Sequence, residues 1–304
     1  MTGKLFVDDI DIYTRFGIFI LDDGYNGIVA YPPLKEPAIN DWPEEHGIEV
    51  DLETPCLDTC QFSISFGILN SFNVMAFIEL LSDGAYHEFN FAEIGLTKNL
   101  RLVSNAGSNS FERLGTFSLN FADDFPLNGF VYDTITPGTD KAGFEIDGLD
   151  LLASFKVFVL EGLKDELNNI PDVKENLLIN SKSVDGVTYD SQEVVYREKE
   201  LNVKCLFLAK INDNGRMWHQ DYYNLLYALT RPNQRVFGID IQGLENGYYK
   251  SSSVSKCTMV NDKIWIEFDL NLVLTAFVPM YESVLITEDG LMIETENELI
   301  LSLE

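Results

Sequence analysis

The amino-acid sequence predicts an α+β protein that is mainly β. We expect two tandem copies of a β-sandwich or split-barrel domain with one main helix each, followed by a C-terminal β-hairpin. Three observations predict this arrangement. A thirteen-residue apolar pattern occurs twice, short runs with strand periodicity dominate each half, and one helical stretch interrupts the strands at corresponding places. A chain of 304 residues is long enough for two domains of ordinary size.

The repeated pattern reads "DIDIYTRFGIFIL" from Asp9 and "GLDLLASFKVFVL" from Gly148. Four pairs in this ungapped alignment are identical: Asp11/Asp150, Phe16/Phe155, Phe19/Phe158 and Leu21/Leu160. At four other positions one aliphatic residue replaces another. Weaker matches follow in the same order along both halves, which indicates an internal duplication.

The alternation within this pattern predicts one long strand. Alternate positions share one face of an extended chain, and on one face they are Ile10, Ile12, Phe16, Ile18 and Ile20. The opposite face is apolar as well, with Tyr13, Phe19 and Leu21. We therefore expect a strand over 9–21 that is buried on both faces, and a corresponding strand over 148–160.

A helix is predicted in each half. In "MAFIELLSDGAYHEF" (75–89) and "YNLLYALTRPNQRVF" (223–237), an apolar helical spacing runs into a helix-stopping turn and then a phenylalanine. The stretch 133–143 is rich in Thr, Gly and Pro and separates the halves. We assign 1–138 to the first copy and 139–280 to the second.

The C-terminal stretch 281–304 differs from both copies. It alternates apolar and polar residues around the turn signal Asp289-Gly290, and it carries seven acids and no base. The pattern predicts an acidic β-hairpin extension.

Composition narrows the classes of function. The net charge is −28, and it is spread evenly, with −15 on residues 1–142 and −13 on the rest. Such a surface repels phosphate backbones, so a nucleic-acid-binding role is not expected. No signal peptide and no membrane-spanning run is apparent, and the four scattered cysteines are typical of a protein made in a reducing cytoplasm.

Catalytic and cofactor motifs are missing from the sequence, so we predict no catalytic, cofactor-binding or metal-binding residues and no enzyme activity. A zinc site from Cys56, Cys60 and His46 has unusual spacing and is disfavoured. Asp9 and Asp11 are interpreted as the solvent face of a strand start. His219 follows Trp218, which favours packing at a helix start over stacking on a sugar.

The segment 36–58 is a long acidic loop. It carries eight acids and no Lys or Arg, and three prolines keep it extended. A loop of this length is either a tolerated excursion or an interaction arm, and the sequence leaves both open.

Together these features resemble bacteriophage tail-tube-like domains. The opening "FVDDIDIYTRFGIFIL" and its echo "IDGLDL" resemble the N-terminal strand of distal tail and baseplate-hub proteins, and the closing hairpin resembles tails of phage proteins from gut Bacteroidota. The resemblance implies a virion structural protein of the tail. It also implies a trimeric or hexameric ring, contacts with neighbouring tail proteins, and a channel through which DNA passes without being bound. It implies assembly in the bacterial cytoplasm and no membrane partner.

Two other classes of function stay open. One is a carbohydrate-binding adhesin module of a tail tip or cell surface, which needs exposed aromatic side chains. The other is a hydrolase with acidic catalytic residues. Most aromatic side chains fall on strand positions predicted to be buried, and no nucleophile or acid stands out, so a structural role is favoured.

Overall fold

The computed structural model describes residues 1–69, 73–111, 114–133, 135, 137–175, 182–183, 185–187, 194–239 and 243–277. Within them the chain is mainly β, in agreement with the predicted class. The predicted hairpin at 281–304 lies outside the described residues. No helix in the part of the chain that the structure describes is long and apolar enough to span a membrane.

The first half forms a seven-stranded sheet. Its strands are β1 Leu5–Val7, β2 Ile10–Asp11, β3 Ile18–Ile20, β6 Cys60–Ile68, β7 His87–Phe91, β8 Leu96–Phe111 and β9 Leu114–Asp123, and its helices are α1 Ile12–Phe16 and α2 Val74–Leu81. A 3-10 turn spans Asp22–Tyr25, and the short strands β4 Ile39–Asn40 and β5 Glu49–Val50 pair within the acidic segment. The strand order is β2-β1-β7-β8-β9-β6-β3.

The second half forms another seven-stranded sheet. Its strands are β10 Phe144–Ile146, β11 Leu149–Asp150, β12 Val157–Val159, β13 Lys199–Lys210, β16 Arg235–Ile239, β17 Gly243–Val260 and β18 Lys263–Leu274. Its helices are α3 Leu151–Phe155, α4 Leu163–Asn168 and α5 Trp218–Leu229, and a small hairpin consists of β14 Asn212–Asp213 and β15 Arg216–Met217. The order β11-β10-β16-β17-β18-β13-β12 matches that of the first sheet strand for strand.

The long strand predicted over 9–21 is wrong, and so is its counterpart over 148–160. Each stretch is instead a short strand, a five-residue helix and a second short strand. Because β2 and β3 lie at opposite edges of one sheet, the chain must cross from one edge to the other, and α1 makes that crossing. Phe16 and Phe155 therefore pack from the ends of helices and not from strands.

An aspartate begins each of these helices. Asp11 caps α1 by accepting hydrogen bonds from the backbone N–H groups of Tyr13 and Thr14, and Asp150 caps α3 in the same way through Leu152 and Ala153. This cap explains why the two positions are identical in the repeat. The solvent-face interpretation of Asp11 missed this role. Asp9 is exposed as expected, but it lies in a turn before β2 and not in a strand.

The two sheets also agree in their irregularities. The β8–β9 ladder shifts register between Leu102 and Ser104, and the β17–β18 ladder shifts between Tyr249 and Ser251 at the corresponding place. Such bulges leave one residue outside the ladder and bend the strand. The predicted helices are confirmed, because α2 and α5 cover the helical part of the two aligned stretches.

The hydrophobic core is continuous across the two halves. One cluster of buried side chains contains residues from both sheets, including Phe66 and Phe121 from the first and Phe207 and Phe268 from the second. The predicted seam 133–143 also packs on the second half, where the Gly138 N–H donates to the Ala153 carbonyl over 2.7 Å. The halves therefore share interior surface.

Candidate interaction surfaces

A short segment of the first half inserts into the second. Tyr31 begins the sequence "YPPL", and its ring packs on Tyr222 with a centroid separation of 4.4 Å. The Tyr31 hydroxyl donates to the Tyr222 carbonyl over 2.6 Å, and burial raises the pKa of Tyr31 well above its ordinary value. Tyr249 donates its hydroxyl to the Pro32 carbonyl over 2.9 Å. Tyr31 is buried, its ring packs on another ring and its hydroxyl is hydrogen-bonded, so it anchors the junction between the halves.

The junction continues on both sides of this anchor. The Asn26 side chain accepts from the Cys257 N–H over 2.7 Å and donates to the Ser255 carbonyl over 3.2 Å. Trp218 donates its indole N–H to the Ile94 carbonyl over 2.6 Å. These bonds pair backbone groups of one half with side chains of the other, so they fix the relative position of the two sheets.

The acidic segment 36–58 lies against the second half. The Ile48 N–H donates to the Thr275 carbonyl over 2.7 Å, and the Asn233 N–H donates to the Leu52 carbonyl over 2.7 Å. Gly47 has a positive φ of 68°, and a Cβ at this position would collide with the Thr275 carbonyl oxygen. The question left open by the sequence is answered in part: this segment is an arm that binds within its own chain.

A buried lysine of the second half binds the acidic arm. Lys174 donates to the carbonyls of Trp42 and Gly47, and its ammonium lies 2.5 Å from a carboxylate oxygen of Asp41. A buried ammonium needs such partners, because an unpaired one costs several kcal/mol. One acid of the arm, Asp41, is thereby paired with a buried cation, although about half of its own side chain stays exposed.

An aromatic corner lies at the end of the first sheet. The exposed rings of Tyr86 and Phe125 lie 5.8 Å apart. The Tyr86 hydroxyl donates to Asp124 over 2.7 Å, and Arg101 binds the same carboxylate through two N–H groups. The bonds from Arg101 and Tyr86 lower the pKa of Asp124, and the bond to Asp124 raises the pKa of Tyr86. The network fixes the orientation of the Tyr86 ring.

A buried ion pair lies beside this corner. Lys98 and Asp123 are both buried and approach to 2.8 Å, and Lys98 also lies over the ring of Tyr223 at 5.9 Å. Burial acts to lower the pKa of Lys98, but the interactions with Tyr223 and Asp123 outweigh it and raise that pKa. The pair lines a cavity of about 300 Å³ together with Tyr86 and Phe125.

The disfavoured zinc site does not assemble. Cys56 is exposed, whereas Cys60 is buried and lies 3.8 Å from the Ala30 carbonyl through its sulfur. His46 instead stacks on Tyr196 and accepts a hydrogen bond from its backbone N–H over 3.1 Å. Among the described residues, no group of three or more His, Cys, Asp or Glu side chains is placed to hold a metal ion. The expected absence of catalytic residues stays a prediction.

The histidine that follows Trp218 is partly buried. Trp218 is fully buried and begins α5, as the packing interpretation expected. Burial lowers the pKa of His219, whose ring lies edge-on to the Trp218 ring.

In each half, an aspartate in the turn after the first strand binds the backbone of a later strand. Asp8 accepts from the Glu88 N–H over 2.9 Å, and Asp147 accepts from the Val236 N–H over 2.9 Å. The side chains around the two carboxylates differ: His87 binds Asp8, whereas Arg235 binds Asp147. The role is the same in both halves, but the partner side chain is an imidazole in one and a guanidinium in the other.

The backbone contacts that join the two ends of the acidic arm have a counterpart in the second half. Lys35 donates its N–H to the Cys56 carbonyl over 2.9 Å, and Lys174, 139 residues further on, donates to the Val195 carbonyl over 2.8 Å. Isolated bridges join Leu34 to Leu57 and Val173 to Tyr196 at the same spacing. The sequence analysis missed this match, although "YPPL" and "IPDV" keep a proline and two apolar positions in register.

Comparison with known proteins gives little support for any family. No family model and no curated protein matches the chain. Among solved structures, the chain is similar to the SPP1 Dit (gp 19.1) protein, described as a paradigm of the hub adsorption apparatus in phages that infect Gram-positive bacteria. The TM-score is 0.33 at 7% identity, over 89% of this chain and 98% of that one. At this TM-score the likeness establishes neither a shared fold nor a shared role.

Proposed function

We propose that this protein is a non-enzymatic structural subunit of a phage tail, acting as a tube, distal tail or hub component. It works through surfaces and needs no cofactor. Its partners are further copies of itself and neighbouring tail proteins, and no membrane is involved. It is assembled in the bacterial cytoplasm and ends in the virion tail.

The observation that carries this proposal is the match between the halves. Two sheets with the same strand order, the same capped crossing helix and a bulge at the same place support two copies of one fold. The proposed role takes that fold to be the tail-tube-like domain that the sequence resembles. In this proposal the copies span 1–138 and 139–280, and 281–304 remains the predicted hairpin extension outside the described residues. A chain whose two copies already bind each other through an inserted segment is suited to repeating that contact between chains.

In the proposed assembly this contact repeats around a closed ring, which leaves no segment without its partner. The ring has three or six chains, the sizes that the resemblance to tail-tube-like proteins implies. With net charges of −15 and −13 on the two parts of the chain, an acidic channel inside the ring would repel DNA and let it slide. The proposed channel lets DNA pass and does not bind it.

Assembly and DNA binding test this role separately. Native mass spectrometry and negative-stain microscopy of the concentrated protein should give rings with three-fold or six-fold symmetry. Mixing with duplex DNA at low salt should give no stable complex. A strict monomer at all concentrations would contradict the self-assembling subunit, and tight DNA binding that weakens with salt would contradict the sliding channel.

A carbohydrate-binding adhesin module is the second candidate, favoured by the exposed pair Tyr86 and Phe125. Aromatic faces held in a fixed orientation beside polar groups suit the C–H faces and hydroxyls of sugars. Glycan-array binding that is lost in Phe125→Ala and retained in Leu244→Ala, an exposed position on β17, would favour this candidate. Equal binding by both variants, or none by the parent chain, would remove it.

A further inference from the structure

We propose that a surface of the first half, centred on Met75 and Val103, binds the segment Ile170–Val173 of a second copy of this chain. The inference rests on the proposed self-assembly and names the contact through which it occurs. It follows from comparing the two halves position by position.

The contact inside one chain is the template. The segment Tyr31–Leu34 lies on the second half, where the Leu34 N–H donates to the Lys250 carbonyl over 2.9 Å. Lys250 falls at the register shift of the β17–β18 ladder. A bulge residue leaves the ladder, so its carbonyl is available to an incoming segment. The Tyr31 ring approaches Tyr223 to 6.3 Å at the same site.

The first half presents the same features, and among the described residues its corresponding surface is open. Val103 falls at the corresponding register shift of the β8–β9 ladder, and Met75 corresponds to Tyr223 in the two aligned helices. Tyr223 is 6% exposed, whereas Met75 is 62% exposed and Val103 is 43% exposed. The helix position that the Tyr31 ring approaches is therefore buried in the second half and open in the first. An exposed apolar side chain at a position that is covered in the other copy is a candidate contact for a second chain.

The second half presents the corresponding segment. "IPDV" lies 139 residues after "YPPL", and its backbone is held by the equivalent bridge, Val173 to Tyr196. Tyr31 is 2% exposed, but its counterpart Ile170 is 54% exposed and Val173 is 44% exposed. The inserting segment therefore exists twice, and one of the two lies open.

Within the residues that the structure describes, each chain thus has an open segment and an open receiving surface, and both are apolar. In the bound arrangement, Ile170 lies against Met75 of the next copy, and the Val173 N–H donates to the Val103 carbonyl. The contact is head-to-tail, so every added chain presents the same pair of surfaces again. A closed ring leaves neither surface open.

The experiment uses two aspartate variants that each damage one side. Ile170→Asp removes the apolar segment and leaves the receiving surface, whereas Met75→Asp does the reverse. Leu244→Asp places the same charge at an exposed apolar position of β17 and serves as the control. Circular dichroism and thermal melting establish that each variant is folded.

We expect the parent chain and Leu244→Asp to assemble alike in native mass spectrometry, and each of the other two variants to stay at the chain mass of 34.4 kDa. An equimolar mixture of Ile170→Asp and Met75→Asp should give a dimer and nothing larger, because only one intact contact can form. The dimer also shows that each variant keeps its undamaged surface.

Two results would overturn the inference, and they are distinguishable. If the parent chain assembles and both variants assemble equally well, self-assembly stands but uses another surface. If the parent chain stays monomeric at every concentration and the mixture gives no dimer, the proposed function fails together with this contact.

Discussion

Phe16 and Phe155 hold corresponding places in the two halves, and both are buried. Truncating either to alanine removes an aromatic ring from the core and should lower the free energy of unfolding by about 3–5 kcal/mol. Urea titration measures the loss. Phe158→Ala is the control, because this ring belongs to the same repeat but is 39% exposed and should cost much less. Losses below about 1 kcal/mol for both buried positions would contradict their role in the core.

His219 gives the stability a dependence on pH. Burial lowers its pKa in the folded chain, so between that pKa and the unfolded value of about 6.5 the unfolded state binds more protons. The free energy of unfolding should therefore fall as the pH drops below about 6.5. Urea titrations from neutral to mildly acidic pH in the parent chain and in His219→Gln measure this contribution. The variant should lose less stability over that range, and equal slopes would contradict the assignment.

The crossing helices α1 and α3 depend on their capping aspartates. Loss of a capping side chain costs about 0.5–2 kcal/mol, and we expect this loss for Asp11→Ala. Asp150 also accepts from the backbone N–H groups of Ala142 and Gly143 and is itself buried. Asp11 also has two further donors, the Gly3 N–H and the Thr14 hydroxyl, but those bonds are exposed and water can replace the lost carboxylate. Asp150→Ala should therefore cost more, about 2–4 kcal/mol, because its further donors lose their partner at a buried site. Thermal unfolding compares the variants, and Asp150→Asn, which keeps one acceptor oxygen, should fall between. Equal costs for Asp11→Ala and Asp150→Ala would contradict this account.

These helices show where the sequence predicts the fold and where it does not. Ile12 and Phe16 are four apart, so they share a helix face as well as a strand face. A five-residue helix has too few positions to separate the two periods. The repeat was detectable because buried positions and caps restrict side-chain choice, and α2 and α5 were predictable because their apolar spacing runs over two or more turns.

The acidic arm depends on Gly47 to reach the second half. Gly47→Ala adds a Cβ at a positive φ and against the Thr275 carbonyl, so the arm should detach and become sensitive to limited proteolysis. Gly84→Ala is the matched control, since Gly84 also has a positive φ but nothing within 4 Å of the added Cβ. Both variants bear the backbone strain of about 1–2 kcal/mol, and only Gly47→Ala should expose the arm. Equal protease sensitivity would contradict the docking contact.

The sequence could not predict where the acidic arm binds, and the reason is physical. Its partners are backbone N–H and carbonyl groups of the second half and a lysine more than a hundred residues away, and backbone groups leave no residue-type signal. The aromatic corner was missed for a related reason. Phe125 follows the last strand of the first sheet, so strand parity does not determine its exposure.

The whole molecule carries its charge on both halves, so its head-to-tail assembly must bring acidic surfaces together. Screening shortens the reach of that repulsion from about 30 Å at 0.01 M salt to about 8 Å at physiological ionic strength. Because the proposed contact between copies is apolar and the repulsion is long-range, association should strengthen as sodium chloride rises over this range. Light scattering at fixed protein concentration measures the change, and Ile170→Asp should stay monomeric throughout. Association that weakens with salt would mean that ion pairs, and not the apolar segment, hold the copies together.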